Sequence, residues 1–264
     1  MAVIGVFDSG SGGLSVLKEL IKQVPGAHYI YYSDNAHCPY GNKGAEFIIE
    51  RSREIAGLLL QRGVDAIVVA CNTATSAAVA QLRKEISIPI IGMEPAVKPA
   101  VAATRSGVVG VLATAATLKG SKYQTIKEKY ESDAVVIERY GADFVELVES
   151  LELSGSHAED VVRASLQPLI DAGADTIVLG CTHYPFLLPL MRKIAPPDVV
   201  FVDPAPAIAK RLSEVLKINN IPIDEAERQF SSTQVELISS GPDDSLRALY
   251  DTIFSSVSLP HVAR

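Results

Sequence analysis

The segment that decides the fold is Gly63-Val64-Asp65-Ala66-Ile67-Val68-Val69-Ala70-Cys71-Asn72-Thr73, and it recurs as Gly173-Ala174-Asp175-Thr176-Ile177-Val178-Leu179-Gly180-Cys181-Thr182-His183. Gly, Asp, Ile, Val and Cys match at one constant offset of 110 residues. In each copy a Gly-x-Asp turn precedes a run of apolar residues, the pattern of a parallel strand buried on both faces. Each copy is therefore predicted to be a buried strand that ends at a cysteine.

The repeat extends beyond the two cysteine strands. The segment Gly110-Val111-Leu112-Ala113-Thr114 resembles Gly5-Val6-Phe7-Asp8-Ser9 at an offset of 105 residues. Alternating strands and helices predict an α/β fold, with two pseudo-symmetric α/β domains whose mainly parallel sheets face each other across an active-site cleft. Proline-rich segments at 92–99 and 203–206 are the predicted crossings between the domains. The first domain would then comprise residues 1–96 and 207–264, and the second residues 97–206.

Composition excludes several classes of protein. With 48% apolar and 21% charged residues among 264, the chain has an ordinary globular composition. Its apolar runs fall short of the roughly 20 residues that cross a bilayer, and its amino terminus lacks the features of a secretion signal. Three cysteines, an odd number, favour free thiols in a reducing cytoplasm. A formal charge of -7 argues against a nucleic-acid partner, so the predicted partner is a small molecule.

The two strand-end cysteines are candidates for chemistry. Ligands of open α/β sheets bind at the carboxyl edge of the strands, where both thiols are predicted to lie. A cysteine that opens a helix also meets the positive end of the peptide dipoles, which favours the thiolate. A single buried cysteine is usually a small hydrophobe. Two at repeat-equivalent positions, each followed by hydroxyl or amide side chains, indicate a function.

Four uses of these thiols are open from the residues alone. A structural disulfide suits neither the compartment nor a polar cavity. A zinc site could recruit Cys71, Cys181, His183 and Cys38, but no C-x-x-C or H-x-x-x-H pair is present. A hydrolase with a Cys181-His183 pair would leave the second thiol unexplained. A two-base isomerase, in which one thiolate removes a proton from carbon and the opposite thiol delivers one to the other face, uses both.

Polar neighbours supply the remaining predicted roles. Asp8, at the end of the adjacent strand, is placed to tune Cys71, and His183 is placed to do the same for Cys181. Other polar groups would hold carboxylates and an ammonium group, although each could equally cap a helix. These predicted substrate-binding groups are Ser9, Asn72, Thr73, Thr114, Thr117, Thr182 and the segment Pro39-Tyr40-Gly41.

Five motifs, in their order along the chain, resemble the signatures of the bacterial glutamate racemase family in the aspartate/glutamate racemase superfamily. The match covers roughly residues 3 to 210. The motifs are Asp8-Ser9-Gly10-x-Gly12-Gly13, Pro39-Tyr40-Gly41, Ala70-Cys71-Asn72-Thr73-Ala74, Gly92-x-Glu94-Pro95-Ala96-x-Lys98-Pro99 and Gly180-Cys181-Thr182-His183-Tyr184-Pro185.

The resemblance implies a cofactor-independent, metal-independent interconversion of L- and D-glutamate that supplies D-glutamate for peptidoglycan. It implies that Cys71 serves the D-enantiomer and Cys181 the L-enantiomer. Substrate would be bound by four residue pairs, and a glutamate would support His183. The pairs are Asp8-Ser9, Tyr40-Gly41, Asn72-Thr73 and Thr182-His183.

Some expectations stay open at this point. The supporting glutamate is predicted to be Glu149, and Glu152 lies close by. The chain has Gly141-Ala142 where the family often has Cys-Pro, so the choice between the two glutamates is open. The sequence does not exclude a racemase of aspartate or another amino acid, or a non-catalytic, two-lobed amino-acid-binding protein. It also leaves open whether the chain forms a homodimer.

Overall fold

The computed structural model describes residues 1–223 and 233–255. The chain divides into two compact units, Met1–Met93 with Ala205–Arg264, and Glu94–Pro204. None of the helices in the described ranges combines the length and the apolar character needed to cross a membrane.

In chain order, the strands and helices of the described residues are β1 (Val3–Asp8), α1 (Leu14–Gln23), β2 (His28–Ser33), α2 (Ala45–Gln61), β3 (Ala66–Val69), α3 (Asn72–Glu85), β4 (Ile90–Gly92), α4 (Val97–Ala103), β5 (Val108–Ala113), α5 (Ala115–Lys119), α6 (Ser121–Tyr130), β6 (Val135–Tyr140), α7 (Phe144–Glu149), α8 (Ser156–Asp171), β7 (Thr176–Gly180), α9 (Leu188–Ile194), β8 (Val200–Val202), α10 (Ala205–Ile218), β9 (Gln234–Ser239) and α11 (Asp244–Phe254). Short 3-10 turns at Asn35–His37, Tyr40–Asn42 and Tyr184–Leu187 join some of them.

The first unit is built on a parallel sheet with the strand order β4-β3-β1-β2-β9. Every residue of β3 is buried, as expected for an apolar strand covered on both faces. Phe7 of β1 pairs with Val69 of β3, and the Ala70 amide continues the ladder by donating to the Phe7 carbonyl at 2.9 Å. This register brings Asp8 and Cys71 to the same carboxyl edge of the sheet.

The second unit has a parallel sheet with the order β6-β5-β7-β8. Ala113 of β5 pairs with Gly180 of β7, so Thr114 and Cys181 follow neighbouring strand ends. A Cβ on Gly180 would lie 2.6 Å from the Ala113 Cβ and 3.2 Å from the Leu112 carbonyl oxygen. Only glycine therefore allows these two strands to approach so closely immediately before the cysteine.

The predicted fold class is confirmed in its main feature, two alike α/β units with parallel sheets. The repeat pairs β1, β2, β3 and β4 with β5, β6, β7 and β8, and the order β4-β3-β1-β2 corresponds strand for strand to β8-β7-β5-β6. The first sheet has one additional strand, β9, which pairs with β2. Helix α10 packs against α1, so residues after the second unit complete the first.

The unit boundaries lie within the predicted crossings, two or three residues before the predicted domain bounds. They fall at Met93/Glu94 and Pro204/Ala205, whereas the sequence predicts 96/97 and 206/207. The predicted irregular crossings are in part helical, since α4 begins at Val97 and α10 at Ala205. Pro99 and Pro206 both lie in the first turn of their helices, where proline is tolerated because its missing N–H has no intrahelical partner.

Candidate active site

The first candidate thiol, Cys71, lies directly after β3 and is only 5% exposed. Its backbone is extended, and its sulfur caps α3 by accepting a hydrogen bond from the Ala74 amide at 3.3 Å. The free amides at the start of a helix carry partial positive charge, which stabilises negative charge on the sulfur. The same thiol donates to the Ser9 hydroxyl at a distance of 3.7 Å.

Asp8 is completely buried beside this strand end and closes the glycine-rich turn. Its Oδ2 accepts a hydrogen bond from the Gly13 amide at 2.7 Å. The Tyr31 hydroxyl supports the same turn by donating to the Gly10 carbonyl at 2.8 Å. A Cβ on Gly13 would lie 2.7 Å from both the Asp8 Cβ and the Tyr31 hydroxyl. Glycine is therefore required here for the turn to close over the aspartate.

Asn72 and Thr73 form the first turn of α3 and are both buried. Neither the nitrogen nor the oxygen of the Asn72 side-chain amide has a hydrogen-bond partner among the described residues. A buried amide without partners costs about 1–3 kcal/mol, so an unpaired one beside a candidate thiol is typical of a ligand-binding group.

The second candidate thiol, Cys181, follows β7 and is 7% exposed. Its sulfur lies 3.7 Å from His183 Nδ1, and the other ring nitrogen, Nε2, lies 2.8 Å from Glu149 Oε1. The Thr182 hydroxyl is 3.4 Å from the same Nδ1. A carboxylate accepts only, so a proton on Nε2 leaves the Nδ1 lone pair facing the thiol. His183, supported by Glu149, can thus take up or return the proton of the Cys181 thiol.

Of the two glutamates considered from the sequence, Glu149 is the one in contact with His183. Glu149 is the last residue of α7, and its oxygen meets the ring nitrogen directly. The side chain of Glu152 lies 2.8 Å from His157 instead, in an exposed pair. Glu149, at the end of α7, therefore makes the contact with the imidazole of His183.

Thr114 and Thr117 are both buried, and they bond to each other. The Thr114 hydroxyl accepts from the Thr117 amide at 3.2 Å and donates to the Thr117 hydroxyl at 2.9 Å, capping the short helix α5. Thr114 also follows β5, the neighbour of the strand that carries Cys181. Their capping role is structural, and their contact with substrate remains a prediction.

The segment Pro39-Tyr40-Gly41 follows β2, and Tyr40 packs in the same apolar cluster as Cys71. The Tyr40 hydroxyl donates to Asp34 Oδ2 at 2.6 Å, and Arg51 of α2 donates to both oxygens of the same carboxylate. The sequence did not single out Asp34 or Arg51. Asp34 reads as an ordinary turn residue after a strand, and nothing in the local pattern links it to an arginine 17 residues later.

The structure thus gathers the predicted residues at one sheet edge in each unit. The first unit holds Asp8, Ser9, Pro39, Tyr40, Gly41, Cys71, Asn72 and Thr73. The second holds Thr114, Thr117, Glu149, Cys181, Thr182 and His183. All three cysteines lie in the described part of the chain, and none is part of a disulfide. This agrees with the sequence analysis, which favoured free thiols over a structural disulfide.

Comparison with known proteins points to one family. The family model described as Asp/Glu/hydantoin racemase matches residues 4–212. A glutamate racemase of Pseudomonas paraeruginosa is 47% identical over 216 residues, which are 81% of this chain and 82% of that protein. The crystal structure of Escherichia coli glutamate racemase, in complex with L-glutamate and the activator UDP-MurNAc-Ala, is 32% identical, with a TM-score of 0.83 over 96% of this chain and 95% of that one. That of a Francisella tularensis glutamate racemase with D-glutamate is 28% identical, with a TM-score of 0.81 over 100% and 97%.

Proposed function

The chain belongs to the Asp/Glu/hydantoin racemase family and its activity is the racemisation of glutamate, and we propose that it performs this reaction with two thiols, Cys71 and Cys181. The observation that carries the proposal is the equivalence of the two cysteines. Each follows the same strand of a repeated sheet, and each is buried with its own polar neighbours.

The reaction balances with one proton at each thiol. Starting from L-glutamate, the Cys181 thiolate takes the Cα proton, so the Cα–H bond breaks and an S–H bond forms. The Cys71 thiol gives its proton to the opposite face of the carbanion-like intermediate, which leaves D-glutamate and a Cys71 thiolate. The two cysteines have then exchanged protonation states, and this is the state that accepts D-glutamate for the reverse reaction.

The neighbours of each thiol support the two roles. The helix start at α3 favours the thiolate of Cys71, and the Ser9 hydroxyl accepts a hydrogen bond from Cys71 when it is a thiol. On the other side, His183 backed by Glu149 accepts or returns the proton of Cys181. Asp8 is proposed to act on the Cys71 side as well, from the turn that it closes with Gly13.

The substrate has two carboxylates and one ammonium group and is negatively charged overall, and the chain itself carries a formal charge of -7. Capture must therefore depend on local donors and not on the overall field. Ser9, Thr73 and the unpaired Asn72 amide are the proposed donors in the first unit, together with the backbone amides of Tyr40 and Gly41. Those of the second unit are Thr114, Thr117 and Thr182.

We place this activity in the cytoplasm and in the supply of D-glutamate for peptidoglycan. The support is the unbridged state of all three cysteines and the likeness to bacterial glutamate racemases. Deleting the coding sequence in its host should create a requirement for D-glutamate that added D-glutamate relieves. Growth without that supplement would contradict the assignment.

The mechanism is tested by following both enantiomers in D2O. Incubation with L- or D-glutamate should place deuterium at Cα, seen by proton NMR, while the other enantiomer accumulates, seen by circular dichroism. Cys71→Ala and Cys181→Ala should each lower kcat by about 10²–10⁴-fold, the usual effect of removing a proton-transfer group. Glu152→Gln, which changes an exposed side chain paired with His157, is the control and should still racemise glutamate.

Each alternative gives a different result in this experiment. Full activity in Cys71→Ala would contradict the two-thiol mechanism, and a thiol hydrolase would lose activity only in Cys181→Ala. A binding protein would retain affinity for glutamate without exchange at Cα. A racemase of another amino acid would exchange aspartate with a higher kcat/KM than glutamate.

A further inference from the structure

The segment Pro39-Tyr40-Gly41 is bonded to an ionised carboxylate, Asp34, that is 0% exposed. Asp34 follows β2 and receives a forked pair of hydrogen bonds from Arg51, from Nε to Oδ2 at 3.1 Å and from Nη2 to Oδ1 at 2.7 Å. The Tyr40 hydroxyl donates a third at 2.6 Å, and His37 Nδ1 lies 3.1 Å from Oδ1. A buried carboxylate with this many partners is a fixed anchor.

The protonation state of Asp34 is consistent with this anchoring role. Burial by itself would raise the pKa of Asp34, but hydrogen bonds from Arg51, Tyr40, Ser240 and His37 outweigh it and lower the pKa to about 2. Burial, and then the bond to Asp34, raise the pKa of Tyr40 far above its ordinary value. The phenol therefore keeps its proton and donates it, and neither group is available to exchange protons with a substrate near neutral pH.

The two halves of the loop after β2 are held by different elements. In the first half, the Ala36 amide donates to the Ser240 hydroxyl at 3.1 Å and the Asn35 side chain donates to the Pro242 carbonyl at 3.0 Å. In the second half, the Tyr40 hydroxyl bonds back to Asp34 at the start of the same loop, and Asp34 is in turn held by Arg51 of α2. Arg51, in the middle of α2, thus connects a rigid helix to the segment Pro39-Tyr40-Gly41.

We propose that Arg51 is a positioning residue, which acts through Asp34 and Tyr40 to hold the backbone amides of Tyr40 and Gly41 in the conformation that binds the substrate. The inference rests on the proposed function, because that function makes these amides substrate donors. The Tyr40 hydroxyl and Arg51 Nε both donate to Asp34 Oδ2, so Arg51 acts on the Tyr40 segment through this carboxylate and its effect on the reaction is indirect. The backbone amides that Arg51 positions would bind the substrate and the transition state equally. Substitutions of Arg51 should therefore change mainly KM.

The same helix offers a matched control. Arg53, two residues along α2, makes the same forked contact with a carboxylate, from Nε at 2.9 Å and Nη2 at 2.7 Å to Glu85. That pair is far more exposed, with 41% of the Arg53 side chain accessible against 18% for Arg51. It holds α2 to α3 and has no contact with the Tyr40 segment among its assigned bonds.

Arg51→Met removes both bonds of the fork and should raise KM for both enantiomers by roughly 10-fold, because the Tyr40 segment loses its connection to α2, while kcat changes far less. Arg53→Met should leave KM close to that of the wild type. Arg51→Lys keeps the charge but not the fork, so its KM should lie between those of the wild type and Arg51→Met. In Arg51→Met/Tyr40→Phe, KM should rise little beyond the larger single effect, because both changes break one connected chain.

Amide hydrogen exchange provides a readout that does not need activity. The amides of Tyr40, Gly41 and Asn42 should exchange faster in Arg51→Met than in the wild type and in Arg53→Met. If the wild type fails to racemise glutamate, the proposed function is wrong, and this comparison still decides the positioning role. Equal KM and equal exchange in Arg51→Met and Arg53→Met would overturn the inference. If Arg51→Met does not fold, Arg51→Lys and Tyr40→Phe carry the same comparison.

Discussion

At the level of single residues, the two thiols occupy equivalent positions in the two units but have different neighbours. Cys71 lies between a helix start and the Ser9 hydroxyl, whereas Cys181 faces His183 with Glu149 behind it. A helix start favours the thiolate permanently, while a histidine can hold or release a proton. In the proposed mechanism the two thiols would therefore be assisted in different ways, which suits a reaction that runs in both directions.

Glu149→Gln tests the histidine side. The amide oxygen of the glutamine can still accept a hydrogen bond from His183 Nε2. The substitution removes the negative charge that stabilises a protonated His183 ring. We expect kcat to fall by about 10-fold in assays of both enantiomers. Glu152→Gln, at the exposed pair with His157, is the control and should not change kcat.

The ratio of the two directions provides an internal check on the Glu149 variant. The enantiomers have equal free energy in water, so kcat/KM must fall by the same factor for L- and D-glutamate. Unequal factors would indicate a side reaction of one enantiomer. An unchanged kcat in Glu149→Gln would show that the carboxylate does not support the proton transfer.

At the level of elements, strand β7 shows how packing places a thiol. Gly180, its last residue, is pressed against Ala113 and Leu112 of β5, and Cys181 follows immediately. Gly173, before the strand begins, has a φ of +84° and open space around its Cα. The two glycines are therefore needed for different reasons, close approach at one end and backbone conformation at the other.

Gly180→Ala and Gly173→Ala should separate these reasons. Gly180→Ala should destabilise the fold by about 1–3 kcal/mol through overpacking and also lower kcat, because the displaced strand end carries Cys181. Gly173→Ala should cost about 1–2 kcal/mol from the left-handed backbone alone and leave kcat unchanged. Urea unfolding and turnover, measured on both variants, test this. Normal turnover in Gly180→Ala would mean that the strand end tolerates the shift.

A second contact explains a departure from the family pattern. A Cβ on Gly141 would lie 2.6 Å from the Tyr184 hydroxyl and 3.0 Å from a Phe144 ring carbon. Tyr184 and Phe144 pack edge to face, with ring centroids 5.0 Å apart. Where the family often has cysteine, this chain has no room for a side chain because the two aromatic rings occupy the space.

At the level of the whole molecule, the two units differ in how they are assembled from the chain. The second, Glu94–Pro204, is continuous and contains its whole four-stranded sheet. The first needs α10 to cover α1 and β9 to pair with β2, and both come from the end of the chain. We propose that the two units are folding domains, the first of them discontinuous.

Expressing the pieces separately tests this proposal. Residues 94–204 should unfold cooperatively in urea, because no strand or covering helix of that sheet is missing. Residues 1–93 should not fold, because the apolar face of α1 and the edge of β2 would be exposed. Circular dichroism and proton NMR dispersion distinguish the two results. A folded 1–93 fragment, or an unfolded 94–204 fragment, would contradict the proposed domains.

The sequence by itself determined the α/β class, the family and the strand-end placement of both cysteines. These features depend on local signals, since a buried parallel strand reads as an apolar run and a turn as glycine and aspartate. Only the tertiary structure decided that Glu149, and not Glu152, contacts His183. It also decided that Asp34 accepts hydrogen bonds from both Arg51 and the Tyr40 hydroxyl. Such contacts join side chains from separate elements, so they depend on helical register and packing, which no local pattern in the sequence records.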